Sequence, residues 1–300
     1  MKHILVWVKA SRLPSQSYIF LPLLLGQAAY YFNTHHIDLT TLFLVQTFGI
    51  FNQLYIIYAN DYADRETDLK NTTFTIFSGG SRIIAEGKLK PQTIKNAAIL
   101  MAIACFIISS ITAVYTKTPI LVALNFLALF LLYAYSYSPF ILSYRGGGEF
   151  LQMLGVGIIL PTYGYLAQTG SFANFPTELL PILLPMNLAC AIATSLPDTP
   201  SDTISGKRTF AVLAGNSIAK TVLLILELVA YFFFIHYQQI YFPNSETNPY
   251  LYIPLLGIFG SLLGWKGKPG TVSISLFVFF SIFFALSIQI LLILFFFYFQ

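Results

Sequence analysis

The sequence predicts an all-α, polytopic membrane protein: a bundle of about nine transmembrane helices forming a single membrane domain over residues 1–300. Three observations carry this reading. Hydrophobic residues fill 56% of the 300 positions and charged residues 9%, with a mean hydropathy of +0.72, which excludes an ordinary water-soluble protein. The apolar residues come in blocks near the ~17 to 25 residues a helix needs to cross a bilayer. The 16 Lys and Arg residues sort to one side once those blocks are drawn as spans.

The blocks lie near 13–33, 39–59, 94–115, 119–136, 149–168, 177–196, 217–237, 250–264 and 272–298. The eighth is short and suits a weakly tilted or partly interfacial helix. With the N-terminus inside, Lys2, Lys9, Arg12, Arg65, Lys70, Arg82, Lys88, Lys90 and Lys95 are cytoplasmic. So are Arg145, Lys207, Arg208, Lys220, Lys266 and Lys268, leaving Lys117 alone on the far side. The layout describes a multi-pass protein of the bacterial inner membrane with its informative loops in the cytoplasm. The net charge of +4 then reflects topology and anionic ligands, with no nucleic acid as partner.

The basic start and first apolar block mimic a signal peptide, but the many later spans favour an uncleaved helix. Arg12 stands where this helix begins, as an anchor or an anion ligand. Pro14, Gln16, Pro22 and Gln27 make the helix too polar to face lipid throughout, so it is expected to face protein or a cavity. The second block ends in N-D-Y-A-D-R-E-T-D, from Asn60 to Asp68, which gathers four of the chain's 12 acidic residues. Asp61, Asp64 and Asp68 are spaced to share one helix face, where like charges repel unless a cation sits among them. Hard carboxylate oxygens suit Mg²⁺, which takes one or two protein carboxylates together with phosphate and water.

The loop that follows, F-S-G-G-S-R-I-I-A-E-G-K-L-K-P, reads as a cap over the mouth of the bundle, with Arg82, Lys88 and Lys90 to neutralise phosphate. Residues 133–149 bring Tyr133, Tyr135, Tyr137 and Tyr144 to the same side with Arg145 and a glycine run, a setting for a cation near aromatic faces or for interfacial anchoring. Glu149 opens the fifth span, where the helix dipole favours an acid. The sixth span runs into a second acidic pair, Asp198 and Asp202, although Pro197 and Pro200 argue against a regular helix through both. Lys207 and Arg208 follow as candidate anion ligands. Glu227, mid-span in the seventh block, is expected to point inward. The last two spans, rich in Phe and Leu, read as lipid-facing scaffold. Cys105 and Cys190 fall inside spans and read as small apolar fillers.

Acids that hold metal and bases that hold an anion, at the mouth of an apolar bundle, imply a substrate with a diphosphate head and a hydrocarbon tail. Polyprenyl diphosphate has both. The pattern N-D-x-x-D-x-x-x-D at 60–68, with D-x-x-x-D at 198–202, resembles the two signatures of the UbiA superfamily of intramembrane prenyltransferases. The resemblance covers nearly the whole chain. It implies Mg²⁺-dependent transfer of a prenyl chain to an acceptor, with metal ligands at Asp61, Asp64, Asp68, Asp198 and Asp202. Of these, Asp61, Asp64, Asp198 and Asp202 are also the candidate catalytic residues. Candidate substrate-binding residues are Arg12, Asn60, Arg82, Tyr137, Arg145, Lys207 and Arg208.

Within the superfamily, A-S-R-L-P-S ahead of L-P-L-L-L-G, Y-S-Y-S-P with S-Y-R-G-G-G-E, and the closing G-K-R-T resemble the 1,4-dihydroxy-2-naphthoate polyprenyltransferases of menaquinone biosynthesis. That implies an aromatic acceptor. Gly147 and the T-S-L-P-D approach to the second motif depart from that group, so other acceptors (4-hydroxybenzoate, homogentisate or a carotenoid) stay open. A transporter is the alternative from another class, but it should carry internal repeats and broken, charged midplane segments.

Overall fold

The computed structural model describes residues 2–243 and 248–298. Among these residues there is no strand. A short amphipathic helix α1 (Lys2–Ala10) precedes the first apolar block, where sequence reading expected only a basic tail. The remaining α-helices of six residues or more are α2 (Ser17–Thr34), α3 (Leu39–Ala63), α4 (Arg65–Lys70), α5 (Pro91–Thr116), α6 (Ile120–Ser136), α7 (Gly148–Thr169), α8 (Leu180–Ser195), α9 (Thr199–Ser205), α10 (Asn216–Tyr241), α11 (Ile253–Leu263) and α12 (Val272–Tyr298).

Every expected block has its helix, but not all are long spans. By length and composition, six helical stretches among the described residues are fit to cross a membrane: α3, α5, α7, Thr177–Ser205 containing α8 and α9, α10 and α12. Two more, α6 and Pro249–Leu263 containing α11, are apolar but shorter, and α2, diluted by Pro22, Gln27 and Asn33, is not among them. The chain is therefore an integral membrane protein, and the count of nine spans is not reached on this measure among the described residues.

Helix packing runs from α2 through α3, α5, α6, α7, α8 and α10, then returns through α12 to α2, closing a ring. Burying apolar side chains between helices gains little where lipid tails are equally apolar, so close van der Waals contact must do more of the work. Gly26 of α2 and Gly164 of α7 show how. A Cβ on Gly26 would collide with the Pro161 carbonyl oxygen, and one on Gly164 with that of Leu23. Beside this crossing, Phe48 stacks on Tyr163 with centroids 4.2 Å apart. The last helix departs from its expected role. α12 is the most buried of the long helices, 67% in its apolar window, and packs on α2, α8 and α11 instead of serving as lipid-facing scaffold.

Two local features shape the interior. Asp38 caps α3 by accepting the Thr41 amide at 2.6 Å, which fixes where the motif-bearing helix starts. Midway along α7, Gly155–Ile159 form a π-turn, an irregularity that often marks a functional cavity. Gly155 and Val156 of this turn line the central cavity.

Candidate active site

The aspartate motifs meet at one end of the bundle, at the mouth of a cavity of about 290 Å³. Asn60, Asp64, Asp68, Asp198, Asp202, Lys207 and Arg12 all line it. Their convergence depends on two breaks in helix geometry. At Asp64 (φ −89°, ψ 6°) α3 ends and α4 begins, so Asp61, Asp64 and Asp68 do not occupy one uninterrupted helix face. The second motif passes through a tight turn, Leu196–Asp198, before α9, as its prolines foretold. Gly206, at φ 79°, then terminates α9 in the left-handed region and turns Lys207 back across the mouth.

Lys207 is the electrostatic link between the motifs. Its Nζ lies 2.7 Å from Asp64 Oδ2 and 4.0 Å from Asp202 Oδ1, with all three side chains buried. Burial works against its charge, but Asp64 and Asp202 outweigh that and raise its pKa. Asn60 Nδ2 donates to the same Asp64 oxygen at 2.9 Å. Tyr144 presents its ring 5.8 Å from the ammonium and shares a hydrogen bond with Thr67 at 3.1 Å.

The cap loop straps the motifs together. Asp61 accepts the Ser81 amide at 3.1 Å and, through its other oxygen, the Ser81 hydroxyl. Asp198 accepts Asn71 Nδ2 and the Gly79 amide, each at 2.8 Å. Gly80, at φ 66°, passes so close that a Cβ would strike Asp68 Oδ2 and come within 2.9 Å of Asp61 Oδ1. On the outer side, Glu86 bridges Lys9 (2.6 Å) and Lys88 (2.5 Å), which ties α1 to the loop.

The other candidates are placed differently. Asp61 turns to the loop and does not line the cavity. Arg82 donates to the Asp68 carbonyl and lies 4.4 Å from the Phe74 ring centroid. Tyr137 donates to the Ala59 carbonyl at 2.7 Å. Neither Arg82, Tyr137, Arg145 nor Arg208 lines the cavity, and Arg208 docks through its amide on the Ser143 carbonyl at 3.0 Å. Ser81 and Asn71, which sequence reading had not singled out, now matter, and two residues that it read only as an aromatic setting and a helix-dipole position gain contacts at the site: Tyr144 above, and Glu149, whose Oε1 accepts the Phe210 amide at 2.7 Å beside the second motif.

The donor set fits a hard divalent cation. Four carboxylates, Asp64, Asp68, Asp198 and Asp202, line the mouth with Lys207, and Asp68 is pushed from its ordinary 3.8 up to about 8, by burial first and then by the charges of Asp64 and Asp61. Such a cluster favours added positive charge. Among the described residues no three acid, cysteine or histidine side chains converge tightly enough to chelate an ion alone. That suits Mg²⁺, which leaves most of its coordination shell to phosphate and water.

The model of the UbiA prenyltransferase family matches residues 19–266. The chain belongs to the UbiA prenyltransferase family. It is therefore a prenyltransferase, and the transporter reading falls away. This UbiA protein is 25% identical over 244 residues to the 1,4-dihydroxy-2-naphthoate octaprenyltransferase of Bacillus subtilis, covering 80% of this chain and 74% of that one. Solved structures share the fold. A UbiA homologue from Aeropyrum pernix K1 superposes with a TM-score of 0.67 at 15% identity, over 91% of this chain and 97% of that one. A UbiA homologue from Archaeoglobus fulgidus bound to GPP and Mg²⁺ gives 0.67 at 17% identity, over 96% and 99%.

Proposed function

We propose that this UbiA protein joins a polyprenyl chain from polyprenyl diphosphate to 1,4-dihydroxy-2-naphthoate, with Mg²⁺ as cofactor. The observation that carries the reading is the single mouth, shared by Asp64, Asp68, Asp202 and Lys207, above a cavity with an apolar wall. The Bacillus relative's activity and the ligands of the Archaeoglobus homologue support the acceptor and donor.

In this reading Asp64, Asp68 and Asp202 would hold the metal. Asp61 and Asp198 act through the loop that they anchor. Bound there, Mg²⁺ would neutralise the diphosphate and favour its departure. Lys207 and Arg12 offer positive charge to the same oxygens as the C–O bond breaks. The apolar wall orients the tail and keeps water from the allylic carbon as it becomes electron-poor. A carbon–carbon bond then forms to the ring carbon that bears the carboxylate, and that carboxylate leaves as carbon dioxide, returning its electron pair to the ring. The mouth and its basic residues face the cytoplasm in a bacterial inner membrane.

The test is product mass. Purified protein given polyprenyl diphosphate, Mg²⁺ and the dihydroxynaphthoate should release diphosphate and form a prenylated, decarboxylated naphthalenediol. Release only with 4-hydroxybenzoate, homogentisate or a carotenoid would overturn the acceptor, and release with none of them would overturn the whole reading.

A further inference from the structure

The cavity lining mixes two kinds of surface. Leu131 of α6 and Val156 and Leu160 of α7 are among its apolar residues. Tyr18 of α2, Asn52 of α3 and Asn187 of α8 line it as well and bring polar groups into the same space. Asn187 spends its amide N–H on the Leu183 carbonyl of its own helix, at 2.8 Å. Asn52 is different. It is 1% exposed, and its Nδ2 has no hydrogen-bond partner. The buried Tyr18 hydroxyl has the thiol of Cys190 beside it, a weak partner.

A buried donor left unpaired is costly, and such groups in native structures call for an explanation. Resting on the prenyl-transfer reading, the possible occupants are two. The donor's tail is hydrocarbon and has no oxygen to accept from Asn52, while its diphosphate belongs at the aspartate mouth. An occupant that satisfies Asn52 inside the cavity is therefore the second substrate, and it must carry oxygen on a body flat enough to lie beside the tail.

We propose that Asn52 is a specificity-determining residue for the acceptor, donating its amide N–H to a ring oxygen of a hydroxylated aromatic molecule. The Tyr18 hydroxyl faces the same substrate from α2. The tail packs against the apolar lining residues, so the two substrates lie side by side in the cavity.

Asn52→Leu tests this, using the dihydroxynaphthoate as acceptor. Loss of one hydrogen bond should raise the KM for acceptor about tenfold. The KM for polyprenyl diphosphate should stay within twofold, and the thermal midpoint of the protein alone should hold or rise, because an unpaired buried donor has been removed. Asn52→Ala, which cannot overpack the site, should show the same split between substrates. The assignment is overturned if either variant leaves the acceptor KM unchanged, or if both KM values move together with a lower midpoint, as a structural role requires. A wild type that prenylates no acceptor overturns the functional reading instead, and this assignment with it.

Discussion

Replacing Lys207 with methionine removes the ammonium that joins the aspartate motifs while keeping most of the side-chain volume. The pair it breaks is enclosed, with Lys207 7% and Asp64 10% exposed at the side chain, and the contact is 2.7 Å. Taking one partner from a buried ion pair strands the other charge and costs about 3–5 kcal/mol. Asn60 remains as a neutral donor to Asp64, and Asp202 loses its nearest cation as well. For a chain of this size the loss corresponds to a fall in thermal midpoint on the order of 10 °C. Adding Asp64→Asn to Lys207→Met removes the stranded charge, so the double variant should be more stable than Lys207→Met alone. Thermal unfolding of detergent-solubilised protein at neutral pH without divalent ions reads both effects. A Lys207→Met protein as stable as wild type, or a double variant whose losses simply add, would refute the reasoning.

Other expectations follow from the same geometry. Asp68 is raised from 3.8 to about 8, so the folded, metal-free protein binds more protons than the unfolded chain between those values, and stability should fall as pH rises through that window. Asp68→Asn should flatten this decline in a pH series of melting curves, and an unchanged slope would contradict it. Ser81→Ala removes the hydroxyl that Asp61 accepts and should cost about 1.5–3 kcal/mol, seen as faster proteolysis of loop 71–90. Cleavage at the wild-type rate would show that the clasp does not hold the loop. Gly26→Ala should force α2 and α7 apart, costing about 1–3 kcal/mol or more, and an undiminished melting midpoint would deny the close crossing.

Much of the fold was legible because bilayer thickness imposes helix length, and apolar blocks of that length have few other uses. Composition says less about which helix sits at the centre. α12 looks as greasy as any lipid-facing helix, yet it packs inward, since lipid and protein interior favour the same residues. The mouth was legible as two acidic clusters among scarce charges. The division of labour within them was not. Asp61 and Asp64 differ by one helical turn in spacing, but the break at Asp64 and the cap loop decide that one accepts from Ser81 and the other from Lys207. Arg145 and Arg208 lie near informative glycines, and spacing cannot say where a side chain points after a left-handed turn. The amphipathic α1 was missed because its lysines drew attention to topology, though Ile4, Leu5, Trp7 and Val8 recur at helical spacing.

The proposed grip of both motifs on one diphosphate is read by calorimetric binding of a non-hydrolysable prenyl thiodiphosphate, with Mg²⁺, to wild type, Asp64→Asn and Asp202→Asn. Each single substitution should weaken binding by a similar large factor, at least tenfold, in protein that melts as a folded species. Binding to Asp202→Asn at wild-type strength while Asp64→Asn loses it would contradict a shared site.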